Sequence, residues 1–303
     1  MRPIVVVFHR PVAEGMPPLT RLLATARTAL LEHQRRLFPF VRYTWFPENG
    51  PIITIRPELS GGINWDFEGT LQDWETNAEL QFELKRQTEV EVGYEQSMER
   101  FGGVEFRKHG LTAEVSTAWL QWLEASAEIG TGREINFFPS AGLAPFLANA
   151  AEAQLSVTLK PRPQLRLEQT YLFTRLGARE ALPGVTPDAR RIARDARIVA
   201  NHIWRSRASY QFSRALSLRA IVDYNAVLPD VDLIDLEREK TFSADVLATY
   251  LANPWTAFYV GYTDGYGNVE IDPVFRDRLR PTESVFNPTG RQVFMKMSYL
   301  LRF

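Results

Sequence analysis

A period of two dominates the chain from about residue 38 to its end, in segments of roughly ten to fourteen residues. Leu80 and Phe82, for example, alternate with Glu79, Gln81 and Glu83. Successive side chains of a β-strand point to opposite faces of the sheet. The pattern therefore predicts a series of amphipathic strands, each about as long as a tilted strand needs to be to cross a bilayer.

The predicted strands are joined by connections of two kinds. Short breaks fall at residues 47–50, near Arg86, near Ala118, and at 160–163, 213–214 and 253–254. Longer polar or Gly/Pro-rich stretches cover roughly residues 96–110, 132–150, 178–195, 229–240 and 264–289. Tight turns on one side and long loops on the other are typical of outer-membrane barrels. We predict an all-β, antiparallel up-and-down transmembrane β-barrel over residues 38–303, with about 12–14 strands.

The start of the chain departs from this pattern. Residues 18–37 have helical spacing, with leucines such as Leu22 on one side and arginines such as Arg27 on the other. The apolar run at residues 4–8 is too short for a secretory signal. About thirteen strands can be counted, whereas bacterial single-chain barrels close with even numbers. We therefore expect an N-terminally truncated barrel, with residues 1–37 as a plug, a periplasmic helix or non-native sequence.

The last segment carries the sharpest signal. Counting back from the terminal residue, every second position is apolar or aromatic. The predicted C-terminal assembly signal consists of Met295, Met297, Tyr299, Leu301 and Phe303. Such an end resembles the β-signal that the barrel-assembly machinery of Gram-negative bacteria recognises, and it predicts that machinery and outer-membrane lipid as partners.

Composition removes several other classes of protein. Lys and Arg number 35 against 36 Asp and Glu, so bulk charge does not point to nucleic acid. Cysteine is absent, which excludes disulfides and thiolate chemistry. No stretch approaches eighteen consecutive apolar residues, which excludes a helical membrane protein. The mean hydropathy of −0.22 is compatible with a barrel, because a barrel hides its lipid-facing residues in alternate positions.

If the alternation holds, one wall of the lumen is acidic and the other mainly basic. The predicted lumen-lining residues are Glu79, Glu83, Glu89, Glu91, Arg166, Arg205, Arg207, Arg219, Asp245 and Lys296. One hypothesis is a water-filled channel whose transverse field orients polar or zwitterionic solutes. The alternative is that these charges pair across a filled lumen and only stabilise it.

Aromatic residues, many of them near strand ends, predict girdles at the two membrane interfaces. They are Trp45, Tyr94, Trp119, Trp204, Tyr210, Tyr224, Tyr250, Tyr262 and Tyr299. General aromatic enrichment in strands is the alternative explanation.

Candidate chemistry is sparse. Four histidines are far apart and lack metal-binding spacing: His9, His33, His109 and His202. The stretch at 130–133 lacks the third glycine of a dinucleotide fingerprint, and neither a nucleophile elbow nor a phosphate-binding loop occurs. Alternating glutamates such as Glu89 and Glu91 are better explained by solvation than by glycoside hydrolysis. We predict no catalytic site, no metal and no cofactor.

Several segments resemble one uncharacterised family. Glu-Phe-Arg-Lys-His-Gly at 105–110, Ile-Asn-Phe-Phe-Pro-Ser-Ala-Gly-Leu at 135–143, and the segments 251–262 and 292–299 look like the barrel called domain of unknown function family 5916. The likeness covers roughly residues 39–303. In that family a carbohydrate-binding-module-9-like domain, absent here, precedes the barrel, which implies such a domain encoded upstream as a partner.

Together these patterns predict an integral protein of the bacterial outer membrane. Its expected role is that of a porin-like pore or transport conduit, or of a membrane anchor for an upstream domain. A soluble all-β barrel that binds a ligand is the first alternative, and a glycan-active enzyme component is the second.

Overall fold

The computed structural model describes residues 34–178, 196–253, 255–271, 279–282 and 284–299. Within these ranges, none of the chain forms a helix long and apolar enough to cross a membrane. The strands are β1 (Gln34–Leu37), β2 (Phe40–Arg42), β3 (Ile52–Asp66), β4 (Leu71–Leu84), β5 (Thr88–Phe101), β6 (Val104–Leu120), β7 (Leu123–Asn136), β8 (Phe146–Arg162), β9 (Leu165–Gly177), β10 (Arg197–Gln211), β11 (Leu216–Pro229), β12 (Glu239–Asn253), β13 (Thr256–Gly267), β14 (Val269–Ile271), β15 (Leu279–Pro281) and β16 (Asn287–Tyr299).

One antiparallel sheet contains fourteen of the described strands. Its order is β1, then β3 to β13 in sequence, then β16, and β2 also pairs with β3. Each strand from β3 to β12 pairs with the next one along the chain, which is an up-and-down arrangement, and β13 pairs with β16. The strands β14 and β15 form a separate small hairpin. The predicted all-β, up-and-down architecture with 12–14 strands is confirmed.

The two sides of the sheet differ in the length of their connections. One side carries mostly short connections, at residues 85–87, 121–122, 163–164 and 212–215, together with the longer connection 43–51 between β2 and β3. The other side carries the long connections 137–145 and 230–238, together with tight turns at 67–70 and 102–103. The predicted long connection at 178–195 lies mostly outside the described residues. We call the two sides the turn side and the loop side.

The predicted long connection at 96–110 is wrong, because β5 and β6 run through it and turn at Gly102 and Gly103. Both glycines have positive φ, 58° and 79°, which suits a tight hairpin turn. Charged residues that make this segment resemble a loop pair between the strands, as when Lys108 bonds Glu99 at 3.0 Å. A segment rich in charge can therefore continue a strand when the neighbouring strand supplies the opposite charge.

The predicted helix at residues 18–37 falls mostly outside the described residues. Its last four residues form β1, which pairs with the end of β3 through Leu37 opposite Ile63. The sheet therefore already includes residues ahead of position 38.

Register divides the sheet into two chemically distinct faces, because directly opposed residues of antiparallel strands point the same way. Leu80 lies opposite Val92, and Val92 lies opposite Ala113. We call the face that carries these residues the apolar face. Glu91 lies opposite Glu114 on the other side of the sheet, which we call the polar face. The alternation seen in the sequence is thus aligned across successive strands.

Two glycines bring β6 and β7 unusually close on the polar face. Gly110 lies directly opposite Gly132. A Cβ atom at Gly132 would overlap the backbone oxygen of His109 and lie 2.8 Å from the Cα of Gly110. A Cβ atom at Gly110 would meet only the backbone oxygen of Thr131, at 3.9 Å. The two positions therefore differ in their tolerance of a side chain.

We expect Gly132→Ala to destabilise the protein by about 1–3 kcal/mol, because backbone atoms cannot move aside as a side chain can. Gly110→Ala is the matched control, and its effect should stay within about 0.5 kcal/mol. The measurement is urea unfolding of the refolded protein in detergent, followed by tryptophan fluorescence. Equal stability of the two variants would contradict the close approach of β6 and β7.

Candidate functional site

All ten predicted lumen-lining residues project from the polar face. Pairing places them there strand by strand, and they are Glu79, Glu83, Glu89, Glu91, Arg166, Arg205, Arg207, Arg219, Asp245 and Lys296. They do not form one compact cluster, because β4 and β12 lie far apart in the order of the sheet. The charged residues of the polar face are therefore spread over many strands of the sheet.

Like charges face each other on the acidic side of this distribution. Glu91, Glu114 and Glu128 occupy directly opposed positions on β5, β6 and β7. Cβ atoms at such positions are about 4.5–5.5 Å apart, and like charges there are destabilising. None of the three forms an ion pair with a cation in the described part of the chain. We call these three residues the glutamate row.

Three arginines on the basic side, Arg166, Arg205 and Arg207, pair with carboxylates of the same or a neighbouring strand. Arg205 makes two bonds with Asp223 of β11, at 2.6 and 3.0 Å. Glu168 of β9 accepts from Arg166 at 2.6 Å and pairs with Arg207 at 3.3 Å. Each of these pairs joins residues of the same strand or of adjacent strands. None of these arginines therefore neutralises the glutamate row.

Lys108 is a largely enclosed cation that the sequence pattern did not single out. Its side chain is 14% exposed, and its Nζ bonds Glu99 of β5 and Glu134 of β7, each at 3.0 Å. Both carboxylates project from the same face as Lys108, so one ammonium group joins three strands. The available signal was the alternation of charged residues through segment 96–110, which the sequence predicts as a loop.

Two long connections of the loop side fold onto the polar face and bind each other. They are residues 137–145 and 230–238, and we call them the loop cluster. Asn136, at the end of β7, donates its side-chain amide to the backbone oxygen of Leu233 at 2.9 Å. This bond ties the end of a strand to a connection almost a hundred residues later in the chain.

Further hydrogen bonds join the two connections directly. Ser140 donates its hydroxyl to the backbone oxygen of Val231 at 2.6 Å. The backbone amide of Asp235 donates to the backbone oxygen of Phe138 at 2.9 Å. The two connections therefore hold each other in one arrangement.

Apolar side chains anchor the loop cluster. Leu233 and Ile234 are 4% and 3% exposed, and they pack with Ala148 and Val199 of the sheet. Ala148 lies opposite Glu134, so the contact is made on the polar face. The apolar residues Leu233, Ile234 and Leu236, among the acidic residues of this connection, were the sequence signal for this inward fold.

The apolar face is widely exposed. Met295, Val293 and Ile129 are 81%, 68% and 61% exposed. Of the predicted assembly signal, Met295, Met297 and Tyr299 lie on this face of β16. Leu301 and Phe303 lie outside the described residues.

The aromatic residues predicted as girdles are concentrated toward one side of the sheet. Those on or near the turn side are Trp45, Trp119, Tyr210, Tyr250 and Tyr299. There the Arg86 guanidinium stacks over the Trp119 ring at 4.1 Å from its centroid, and the rings of Tyr210 and Phe212 are 4.6 Å apart. The other four lie nearer the middle of their strands, and they are Tyr94, Trp204, Tyr224 and Tyr262. The arrangement resembles one girdle at the turn side more than two girdles.

No group of three or more His, Asp or Glu side chains is placed to hold a metal ion among the residues that the structure describes. His202 bonds the Tyr171 hydroxyl at 2.9 Å through Nδ1. His109 lies opposite Gln96 on the apolar face. His9 and His33 lie outside the described residues.

No family model matches this chain, and no curated protein does. Several solved structures resemble it at low identity. The NanC porin is 10% identical with a TM-score of 0.32, and the match covers 76% of this chain and 94% of that one. The copper transporter OprC is 11% identical with a TM-score of 0.40, covering 77% and 44%. OmpT, an outer membrane protein of Vibrio cholerae, is 10% identical with a TM-score of 0.34, covering 88% and 92%. Resemblance at this level concerns the fold and carries nothing about a solute or a reaction.

Proposed function

We propose that this chain is an integral outer-membrane β-barrel whose polar face lines a conduit for solutes. The observation that carries the proposal is the exposed apolar face, which continues from β4 to β16 without a second sheet covering it in the described residues. Soluble proteins rarely expose contiguous apolar patches larger than a few hundred Å². Hydrocarbon is the environment in which such a face is stable. A soluble ligand-binding barrel would instead direct it inward.

Strand length supports a membrane location. The strands β3 to β13 and β16 have 12–17 residues, and about 9–11 residues suffice for a tilted strand to span the hydrocarbon core. The connections 137–145 and 230–238, which carry the loop cluster, fit the extracellular side of an outer-membrane barrel, and the turn side then faces the periplasm. The apolar alternation of β16 supports recognition by the barrel-assembly machinery.

Uncompensated charge favours a conduit over a filled barrel. The glutamate row keeps three like charges together, whereas three arginines of the other side are paired with Asp223 and Glu168. A water-filled path lowers the cost of like charges, because water screens them. The resulting field favours cations, since rings of carboxylates select cations in pores.

A membrane anchor for an upstream domain is the second candidate. The loop cluster favours it, because two connections that pack onto the polar face occupy space that a conduit needs. The two candidates differ in conductance, so one measurement separates them.

Expressed in a Gram-negative host behind a signal peptide, the protein should fractionate with the outer membrane and migrate faster on gels when unheated. In planar bilayers it should conduct, with cations preferred. The triple variant Glu91→Gln, Glu114→Gln, Glu128→Gln should shift the reversal potential toward anions. Glu48→Gln with Glu68→Gln, both exposed in connections, should leave it unchanged. If the protein folds and inserts into the membrane but does not conduct, the conduit is excluded and the role of a membrane anchor is favoured.

Release of the loop cluster should widen the path. Leu233→Ala with Ile234→Ala removes two buried anchors, and each change should cost about 2–5 kcal/mol of packing in the loop cluster. We expect a larger single-channel conductance in bilayers. Val231→Ala is the control, because Val231 belongs to the same connection but is 67% exposed. If the double variant and the control conduct alike, the loop cluster does not narrow the path.

A further inference from the structure

A cavity of about 510 Å³ lies on the polar face between β4 and β10, beside the loop cluster. Its floor consists of glycines on three neighbouring strands: Gly93 of β5, Gly110 of β6, and Gly130 and Gly132 of β7. Residues without side chains leave a hollow in a surface that side chains otherwise fill. At Gly110 this space is open, since an added Cβ atom would meet nothing closer than 3.9 Å.

The charges around this hollow that lack an ion pair are negative. They belong to Glu79, Glu95 and Glu152, which line the cavity and form no ion pair within the described residues. The carboxylate of Glu152 lies over Gly130, where a Cβ atom would overlap it. Lys108 also lines the cavity, but its ammonium group is already held by two carboxylates at 3.0 Å each.

Two arginines border the cavity without reaching into it. Arg133 lies opposite Asn149, and Arg175 lies opposite Ala151, so both belong to the register of the apolar face. Their backbones line the cavity, whereas their side chains project from the opposite face of the sheet. The hollow therefore keeps its negative charge.

A second observation, independent of the carboxylates, points to a ligand. The hydroxyl of Thr174, which lines the cavity, is enclosed and has no hydrogen-bond partner among the described residues. Asn201 lies beside the cavity, next to Thr174; it is 6% exposed, and its Oδ1 likewise has no partner in that part of the chain. Glu152, Thr174 and Asn201 stand directly opposite one another on β8, β9 and β10 and share the polar face. An unsatisfied buried polar atom costs about 1–3 kcal/mol, which a ligand with donors would relieve.

We propose that this cavity binds a small organic cation that carries an ammonium or guanidinium group. Such groups offer several donors and no acceptor, which complements a site that offers carboxylate, amide and hydroxyl oxygens. A bare metal ion fits less well, because no three acidic side chains converge in the described residues. The volume falls in the range of small-molecule sites, roughly 300–1,000 Å³. The inference rests on the proposed conduit and deepens it by naming a class of solute.

Binding is tested on the full chain folded in detergent, with 1,4-diaminobutane as the probe, by titration calorimetry. We expect saturable binding of the diamine and none of butane-1,4-diol, which has the same length and no charge. Glu152→Gln should weaken binding about tenfold, the equivalent of one charge-assisted bond. Glu114→Gln is the matched control, because it removes the same charge from the polar face outside the cavity. If both variants lose the same amount of diamine affinity, the diamine responds to the general negative charge of the polar face. The proposed cation site would then be overturned.

Two further variants test the shape of the cavity and the role of the unpaired amide. Gly110→Leu should fill the floor and abolish binding, with circular dichroism and heat-modifiable migration as checks of folding. Asn201→Leu should weaken binding without lowering the unfolding temperature, because an apolar isostere removes an unsatisfied group. Retained binding in folded Gly110→Leu, or loss of stability with unchanged binding in Asn201→Leu, would overturn the proposal. Calorimetry does not require conduction, so a protein that binds but does not conduct would refute the conduit alone.

Discussion

Cross-strand register governs this structure. Directly opposed residues of antiparallel strands share a face, so each pairing passes the division between apolar and polar sides to the next strand. A slip of one residue in β5 would exchange its two faces and place Glu91 beside Leu80 and Ala113 on the apolar side. Because one face is apolar and the other carries charged groups, such a slip would place charged residues among apolar ones and apolar residues among charged ones. Register therefore fixes the exposed apolar surface and the face on which each charged group lies.

The loop cluster shows how one end of the sheet differs from the other. Turns of a few residues on the turn side, such as the one at 163–164, only reverse the chain. The connections 137–145 and 230–238 are long enough to carry apolar side chains of their own, and they bury residues 233 and 234 against the polar face. Their backbone groups bind each other, which satisfies hydrogen-bonding groups that such burial would otherwise leave unpaired.

Charge on the polar face is organised by neighbouring strands. Arg205 and Arg207 find carboxylates one strand away, and Lys108 finds one on each side. The glutamate row and three carboxylates around the cavity, those of Glu79, Glu95 and Glu152, have no such cation paired with them in the part of the chain that the structure describes. The face therefore combines a neutralised region with a region of uncompensated negative charge, and both the conduit and the proposed cation site rest on the second region.

The fold class, the two faces and the side of each predicted lumen residue follow from the amino-acid order alone, because an alternation of period two is a local property. The same pattern fails at segment 96–110, since the ion pairs that make those charges compatible with strands join residues of two strands. Other features emerge only when the chain is folded: Asn136 meets Leu233, glycines of neighbouring strands form one hollow, and Asn201 Oδ1 lacks a partner. These features depend on distances between strands and loops far apart in the chain, which no local pattern encodes.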